Sequence, residues 1–453
     1  MSQAILTPTQ FHGVDNAPAP PEPSEEARHR LKVLVSAYAC SPYEGSEAGV
    51  GWGWVEAISK YHDLWVLTGG HFRDDIEKEL RRKPELRERL HFHYIQRTRY
   101  LAAEKIWPPA YLYTYKHQWQ RDAYRVGLRL HKEIGFDVIH QLTYVGFRVP
   151  GLLWRLGVPF VWGPIGGLEQ TTWSLIPSLG VSGALHLTAR NLLNEWDRRL
   201  AQLPKRAFAA ADGAIIAATT GIQREIQRFY SRSSTVISEI GLPPVTNQTP
   251  TRRSVAEPLR LLWCGNLNPR KALPFFFSAL SIAPSSLNWR LTIIGNGPCA
   301  AKWQTLVRRN GLADRCDWLG QVPRSVVLQK MQRAHALVVT SVYDLTSTVV
   351  VEALANGLPV ICPDHCGFTD AVTPDCGIRV KASTKREVVT GLRDAIVRMS
   401  DENLRFQLAQ GALARSRYYE WESKARAVDG IYRAKQLDRS DQRRSGSLLG
   451  GIR

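Results

Sequence analysis

Short runs of apolar residues alternate along most of this chain with longer stretches that have a helical pattern. Several runs are apolar almost throughout, which is the pattern of strands buried on both faces of a parallel sheet. Helices between successive strands are the connections that such a sheet needs. We therefore predict an α/β protein with strands at 31–39, 64–70, 90–96, 136–142, 158–164, 213–219, 259–265, 289–295, 316–320, 335–341 and 358–363.

The alternation is interrupted between the sixth and seventh predicted strands by a segment rich in Pro, Thr and other polar residues. Such a composition is typical of a linker between domains. We predict two doubly wound Rossmann-like domains that face a central cleft, with ligands at the carboxyl ends of the strands. The predicted parts are a disordered tail at 1–29, a first domain at 30–245, a linker at 246–258, a second domain at 259–405 and a disordered basic tail at 437–453.

The composition supports a folded chain and excludes some classes. Of the 453 residues, 44% are hydrophobic and 22% are charged, as in globular proteins. No apolar run reaches the length of a membrane-spanning helix, and the first 30 residues do not resemble a secretory leader. Because the seven cysteines are odd in number and dispersed, we expect reduced thiols and a cytoplasmic protein.

The chain is strongly basic, with a formal net charge of +18, and residues 251–350 contribute half of it. A concentrated positive field suits nucleotide phosphates, nucleic acid or an anionic membrane, although a solvated basic surface fits equally well. We expect no nucleic-acid partner, because basic and aromatic residues are not interleaved in a motif. The stretch 189–208 is basic and amphipathic, which fits either an ordinary surface helix or contact with an anionic membrane.

The segment 341–364 carries the most distinctive pattern, because it passes from a buried strand through a polar loop into a helix and a further strand. Asp344 lies in the loop, and Thr346, Ser347 and Thr348 lie where the helix begins. Free backbone N–H groups there could bind phosphate, and Glu352 could accept two hydrogen bonds from a ribose diol. The alternative is that the three hydroxyl residues only cap the helix and that Glu352 favours its positive end.

Other predicted strand ends carry polar groups that would reach the same cleft. Asn266, Arg270 and Lys271 follow Gly265, and two cations there would suit a diphosphate, or would simply be solvated. Gly45 and Ser46 follow the first strand and would let a ligand approach the backbone closely. His140 ends a predicted strand, which leaves it either facing the cleft or packed in the core.

Taken together, these motifs resemble the family 4 glycosyltransferases, which are retaining enzymes of the GT-B fold. The resemblance covers most of residues 31–436 and is strongest in the second half. The family pattern is a carboxylate, then seven residues, then a Glu that precedes Ala-x-Ala-x-Gly-x-Pro-Val. This sequence matches the pattern with Asp344, Glu352 and residues 353–360. Residues 265–272 resemble its Gly-Arg-Leu…Lys-Gly loop. Residues 418–435 are similar to its terminal helix, which implies that helices at 406–436 cross back to the first domain.

The resemblance implies transfer of a sugar from a nucleotide diphosphate sugar to a glycan or lipid-linked acceptor, with no cofactor and no metal. Lys271 would bind the donor diphosphate, Asp344 would contact the sugar hydroxyls, and His140 would lie near the donor sugar as the third catalytic residue. First-domain loops at 41–54, 98–118 and 163–185 would shape the acceptor side. The implied donor-binding residues are Gly45, Ser46, Asn266, Arg270, Thr346, Ser347, Thr348 and Glu352.

The sequence departs from the family pattern at four places. Asp344 stands for the usual Glu, 345–347 for Gly-Phe-Gly, Asn266 for an Arg, and Ser46 for the second Gly of a pair. Two alternative functions therefore stay open: a nucleotide-sugar epimerase of similar fold, and a degenerate protein that binds a nucleotide sugar without turnover. The expected location is the cytoplasm, with peripheral contact at the inner face of the membrane as an option.

Overall fold

The computed structural model describes residues 29–96, 108–244 and 258–449, with side chains described at 29–96, 118–244 and 258–438. The predicted N-terminal tail, apart from residue 29, and the predicted linker, apart from residue 258, lie outside the described residues. Residues 98–107 of the loop 98–118 that was expected on the acceptor side also lie outside them, whereas residues 108–118 belong to a helix rather than a loop.

The first half of the chain forms a sheet of seven parallel strands in the order β3-β2-β1-β4-β5-β6-β7. The inner strand β1 is buried throughout except at its first residue, as its apolar sequence predicts. The sheet order reverses between β1 and β4, which places a ligand-binding edge at their carboxyl ends. The strands are β1 Lys32–Ala37, β2 Asp63–Gly69, β3 Leu90–Ile95, β4 Val138–Thr143, β5 Phe160–Ile165, β6 Ile215–Ala217 and β7 Thr235–Val236.

The second half repeats this arrangement with six parallel strands in the order β10-β9-β8-β11-β12-β13, and the order reverses between β8 and β11. The predicted fold class, two doubly wound α/β domains, is therefore confirmed. The strands are β8 Leu259–Cys264, β9 Trp289–Ile294, β10 Cys316–Gly320, β11 Ala336–Val338, β12 Val360–Pro363 and β13 Gly377–Val380.

All eleven predicted strands are present, and the sequence analysis missed two edge strands, β7 and β13. Strand β7 has two residues, too few to show a period. Strand β13 contains the charged residue Arg379, which interrupts the apolar run in the sequence. In the structure its guanidinium binds the Asp364 carboxylate and the Thr369 carbonyl. Edge strands tolerate such residues because one side of the strand is open.

Helices connect the strands of both sheets and cover their faces. Among the described residues, none is long and apolar enough to cross a membrane. The helices are α1 Ser46–Ile58, α2 Arg73–Arg82, α3 Pro108–Ile134, α4 Val181–Leu200, α5 Gln202–Ala210, α6 Thr220–Tyr230, α7 Pro274–Ser281, α8 Ala300–Arg309, α9 Arg324–Arg333, α10 Thr348–Ala355, α11 Gly367–Ala371, α12 Lys385–Arg398, α13 Glu402–Ser416 and α14 Trp421–Leu449.

The last helix, α14, packs on the first sheet domain. Its Trp421 ring lies edge-on to Trp54 of α1, and Tyr432 is fully buried in the core around the first sheet. The chain passes between the domains a second time here, where Leu242 N–H donates to the Tyr419 carbonyl over 2.7 Å. The predicted disordered tail at 437–453 is corrected in part, because α14 continues to Leu449.

Candidate active site

Two loops of the second sheet meet at the carboxyl ends of β8 and β11. These strands are neighbours and flank the point at which the strand order reverses. The Val342 N–H donates to the Arg270 carbonyl over 2.9 Å, and the Thr340 hydroxyl donates to the Lys271 carbonyl over 2.5 Å. The loops therefore hold each other in place at the edge where doubly wound sheets bind their ligands.

Asp344 pairs with both cations of the loop that follows β8. Its Oδ2 lies 2.5 Å from Lys271 Nζ, and its Oδ1 lies 3.2 Å from Arg270 Nη1. The same Arg270 nitrogen donates to the Tyr343 carbonyl over 3.0 Å. Tertiary structure thus brings together three of the predicted site residues, of which Lys271 and Asp344 are 73 positions apart in the chain.

The electrostatics of this cluster favour an anionic ligand. Burial alone would raise the pKa of Asp344, but the charges of Lys271 and Arg270 outweigh burial and bring that pKa below its usual range. The carboxylate is therefore charged at neutral pH, and the cluster of two cations and one anion is positive overall. Because the Arg270 side chain is 37% exposed, its guanidinium can reach a phosphate that arrives from solvent.

Glu352 lies at the same end of β8 and is buried in the fifth position of α10. Its Oε1 accepts a hydrogen bond from Nε of Arg324, the first residue of α9, over 2.7 Å. The half-buried Cys264 thiol lies close enough to Glu352 and Lys271 for the charges of both to shift its pKa. Burial, assisted by the Glu352 charge and opposed by that of Lys271, raises the pKa of Cys264 to about 11. Glu352 and Lys271 thus border one space at the end of β8.

The amino-terminal end of α10 is open to a ligand. No side chain caps it, so the N–H groups of its first turn at Thr348 are available to an anion. Ser347, which precedes the helix, has a φ of +68°, a conformation that favours glycine. The family that this chain resembles has a glycine at this position. Ser347 adopts the same left-handed backbone conformation, which is strained for a residue with a side chain.

Thr346 does not have the role expected of it. Its backbone N–H and its hydroxyl each donate to the Glu239 carboxylate over 3.0 Å, and Ser238 also contacts its hydroxyl. The Thr346 N–H, which was expected to support a donor, is therefore bound, together with the hydroxyl, by a buried carboxylate from the segment after β7. This prediction is corrected: Thr346 ties the loop to that segment, whereas Ser347 and Thr348 keep the open helix end.

The Gly-Asn-Gly turn after β9 lies directly against the loop that holds Asn266. A Cβ atom on Gly295 would lie 1.9 Å from the Gly265 carbonyl oxygen, and one on Gly297 would lie 2.6 Å from the Leu267 carbonyl oxygen. Both glycines also have positive φ angles. The Asn266 side-chain oxygen accepts from the Asn268 amide over 3.3 Å, so this predicted donor-binding residue also braces its own loop.

Gly45 and Ser46 form the open amino-terminal end of α1 in the first domain. No side chain caps this helix, and a Cβ atom on Gly45 would meet no atom within 4 Å. Ser46 has a φ of +58°, again a serine where the resemblance has a glycine. Val50 of the same helix packs against an apolar cluster of the second domain, and Leu345 packs against the core of the first. This helix end therefore borders the cleft.

His140 does not face the cleft, so the prediction of a catalytic role is corrected. Strand β4 continues past His140 to Thr143, and His140 is fully buried within it. Its Nε2 lies 2.7 Å from the Gly163 carbonyl and its Nδ1 lies 2.6 Å from the Tyr432 hydroxyl. Since a carbonyl only accepts, Nε2 carries the proton. Burial lowers the pKa of His140 to about 4, so the ring is neutral.

Sequence analysis missed Glu169, which follows β5 within the loop 163–185 expected on the acceptor side. Burial raises its pKa to about 7; the Thr219 hydroxyl opposes this and the Asp370 charge adds to it. Arg190 donates to the Glu169 carbonyl over 3.2 Å and stacks on Tyr343, the neighbour of Asp344, at 3.5 Å. The only sequence signal was its place after a strand, which many other residues share.

Within the described residues, no three His, Cys, Asp or Glu side chains are grouped in a way that would hold a metal ion. All seven cysteines are free thiols. The positively charged part of the candidate site consists of Lys271, Arg270 and the uncapped amino-terminal end of α10, which are groups that can bind an anion.

Part of the chain is similar in sequence to known proteins. Residues 246–412 match the family model of glycosyl transferases group 1. That match contains the candidate site residues of the second domain, from Asn266 to Glu352. The chain is 30% identical over 167 residues to a lipopolysaccharide 1,6-galactosyltransferase of Salmonella typhimurium, a match that covers 35% of this chain and 45% of the relative. The chain thus spans less than half the length of this curated relative.

Solved structures show the same fold over most of the chain. Sucrose-phosphate synthase of Thermosynechococcus elongatus superposes with a TM-score of 0.61 at 17% identity, covering 91% of this chain and all of that one. The Anabaena protein HepE in complex with UDP superposes with a TM-score of 0.56 at 16% identity and the same coverage. The two sheets of seven and six strands therefore form the GT-B fold.

Proposed function

We propose that this protein transfers a sugar from a nucleotide diphosphate sugar to a glycan or lipid-linked acceptor, with retention at the anomeric carbon, as a family 4 glycosyltransferase in the cytoplasm. The observation that carries the proposal is the Lys271–Asp344–Arg270 cluster beside the open end of α10. A fold neighbour binds UDP and a relative is a galactosyltransferase, which supports the same substrate class.

In this proposal the donor diphosphate lies over the end of β8. Lys271 and Arg270 stabilise the negative charge that grows on the leaving diphosphate, and the N–H groups at the start of α10 add further stabilisation. Asp344 holds the two cations before the donor arrives and then accepts hydrogen bonds from sugar hydroxyls. Glu352 accepts from the ribose diol after Arg324, whose side chain is 68% exposed, moves aside.

Retention follows if the acceptor attacks on the face that the diphosphate leaves. The leaving diphosphate then takes the acceptor proton, and the protein positions the partners and stabilises charge. A double displacement on the protein would instead need a carboxylate within reach of the anomeric carbon. Asp344 is the carboxylate proposed here to contact the sugar, but Lys271 and Arg270 already hold both of its oxygens. The same-face reaction therefore fits this site better.

The first test is thermal stabilisation by UDP, GDP, ADP and dTDP, each with and without EDTA. A ligand at 100 times its dissociation constant stabilises by about 2.7 kcal/mol. Stabilisation by one nucleotide that survives EDTA identifies the base and supports a metal-independent donor site. If none of the four stabilises the folded protein, the proposed donor class is wrong.

Product analysis with the matching nucleotide sugar then separates the transferase from the alternatives. Epimerisation of the donor without an acceptor would replace the proposal by an epimerase. Binding with no turnover on any glycan or lipid-linked acceptor would replace it by a degenerate binder. Transfer with the α configuration kept from an α-linked donor is the expected result.

A further inference from the structure

A buried carboxylate joins the loop of the candidate site to the segment that follows β7. The Thr346 N–H donates to Oε1 of Glu239 and the Thr346 hydroxyl donates to Oε2, each over 3.0 Å. The two oxygens of one carboxylate therefore bind two different groups of the same residue. Because both residues are buried, water does not compete for these bonds, and Thr346 is fixed at two points.

The backbone of Glu239 is anchored on the first domain. The indole N–H of Trp54, which is fully buried in α1, donates to the Glu239 carbonyl over 2.9 Å. Thr346, in contrast, lies in the second domain between β11 and α10. The side chain of Glu239 therefore reaches from a residue fixed to one domain to a loop of the other, and it does so beside the candidate site.

Both passages of the chain between the domains lie next to Glu239. The passage after β7 and the passage before α14 are bonded side by side, because the Trp421 N–H donates to the Leu242 carbonyl over 3.0 Å. One turn into α14, the Lys424 ammonium donates to the Ser238 carbonyl over 2.7 Å. The residue before Glu239 is therefore bound to α14, and Glu239 itself is bound to the site loop.

Close packing leaves these segments little freedom to move independently. The Trp421 ring fills the space between α1 and the first passage, since a Cβ atom on Gly53 or on Gly241 would lie 2.2 Å from that ring. Behind the site loop, a Cβ atom on Gly367 would lie 2.5 Å from the Leu345 carbonyl oxygen. In such a densely packed region a displacement of one segment is transmitted to its neighbours.

The ionisable groups at this junction are held in an unfavourable environment. Burial raises the pKa of Glu239, although the Thr346 bonds and the Lys424 charge oppose that rise. Burial also lowers the pKa of Lys424 to about 7, against the opposing effect of the Glu239 charge. Since apolar side chains of similar volume often stabilise a core at least as well, core stability alone does not explain this acid and base. A requirement to fix the position of Thr346 explains them better.

We infer that Glu239 is a positioning residue of the candidate site, and that Lys424 links it to α14, so that the site loop follows the arrangement of the two domains. Thr346 lies two residues after Asp344 and two residues before the start of α10. A shift of Thr346 would therefore displace the Asp344 carboxylate from the place where the sugar is expected. The inference rests on the proposed function, which assigns Asp344 to the sugar hydroxyls.

Three variants of the full chain test the inference. Glu239→Gln keeps the shape of the side chain, but an amide has one oxygen and can keep only one of the two Thr346 bonds. Lys424→Met removes the link to α14 and leaves the site loop itself unchanged. The matched control is Asp429→Asn, which removes the charge of another buried carboxylate of α14, one that pairs with His62 and Arg433.

Amide hydrogen exchange over residues 343–350, measured without nucleotide, reports how firmly the loop is held. We expect exchange at least about tenfold faster than wild type in Glu239→Gln, faster exchange also in Lys424→Met, and no change in Asp429→Asn. If Glu239→Gln fails to fold, Thr346→Val removes the hydroxyl bond alone and should show a smaller increase. Wild-type exchange in the Glu239 or Thr346 variant would overturn the inference, and wild-type exchange in Lys424→Met would overturn the link to α14.

Kinetics below the unfolding temperature separate positioning from a purely structural role. The kcat of Glu239→Gln should fall about tenfold, while its dissociation constant for the nucleoside diphosphate stays within about threefold of wild type. The reason is that the loop of Arg270 and Lys271 is bonded to Val342 and Thr340, not to Glu239.

The outcomes distinguish this inference from the proposed function. A kcat within about twofold of wild type, together with faster exchange, would overturn the positioning role of Glu239. If wild type binds no nucleoside diphosphate, the proposed function fails instead. The exchange measurement needs no nucleotide, so it still decides whether Glu239 holds the loop.

Discussion

Replacing Lys271 by methionine tests the charge at the centre of the proposed site. Lys271 is 9% exposed, and its ammonium lies 2.5 Å from the Asp344 carboxylate. Methionine keeps most of the buried aliphatic chain and removes the charge, so the effect on packing is small. Arg270 remains 3.2 Å from Asp344 and supplies part of the lost field.

The expected loss of turnover follows from this geometry. Loss of one preorganised donor to a developing anion lowers kcat by about 100-fold to 1,000-fold. Because Arg270 remains beside the diphosphate site, we expect the lower end, about 100-fold. Removing one partner of a fully buried ion pair costs about 3–5 kcal/mol of stability. Here Arg270 still pairs with Asp344 and is 37% exposed, so we expect only about 1–2 kcal/mol.

The assay measures release of nucleoside diphosphate with the nucleotide sugar chosen by thermal shift, and urea unfolding measures stability. Lys385→Met is the matched control, because Lys385 is exposed at the start of α12, away from the two loops. If Lys271→Met keeps wild-type turnover and wild-type affinity for the nucleoside diphosphate, Lys271 has no role in stabilising the leaving group, and our account of this site is wrong.

Three further substitutions test the rest of the structure. Ser347→Gly should raise the free energy of unfolding in urea by up to about 1 kcal/mol, because glycine adopts the φ of +68° without strain; a loss of stability would refute this. The pKa of Glu169 is raised to about 7, so the folded protein takes up a proton and the wild type becomes less stable as pH rises from about 4.5 to 7. This loss of stability is worth up to about 3 kcal/mol, and thermal unfolding of Glu169→Gln over the same pH range should not show it. His140→Phe should lower stability by about 2–3 kcal/mol, because it leaves the Tyr432 hydroxyl and the Gly163 carbonyl without their hydrogen-bond partner. Below the unfolding temperature, kcat should stay within about twofold of wild type. A large loss of kcat with normal stability would instead support a catalytic role for His140.

Strand positions follow directly from the sequence, because a strand buried on both faces must be apolar along its whole length. The runs around Val33–Val35 and Leu261–Trp263 therefore predict β1 and β8 without any tertiary information. Short edge strands give no such signal, and β13 even contains Arg379. The role expected of His140 was wrong because β4 continues past it through Gln141 and Thr143, which are polar yet buried, and apolar runs alone do not show this.

The candidate site, too, could be predicted from the sequence only in part. The sequence alone determined the parts that local chemistry specifies, namely the cations of 270–271, the carboxylates at 344 and 352 and the open helix start at 347–348. Only tertiary structure decided their partners. It joined Lys271 to Asp344 across 73 residues, turned Thr346 to Glu239 and buried His140 against Tyr432. The physical reason is that the pattern of residues along the chain indicates whether a side chain prefers the core or solvent. Its contacts, by contrast, depend on distant segments that the fold brings beside it.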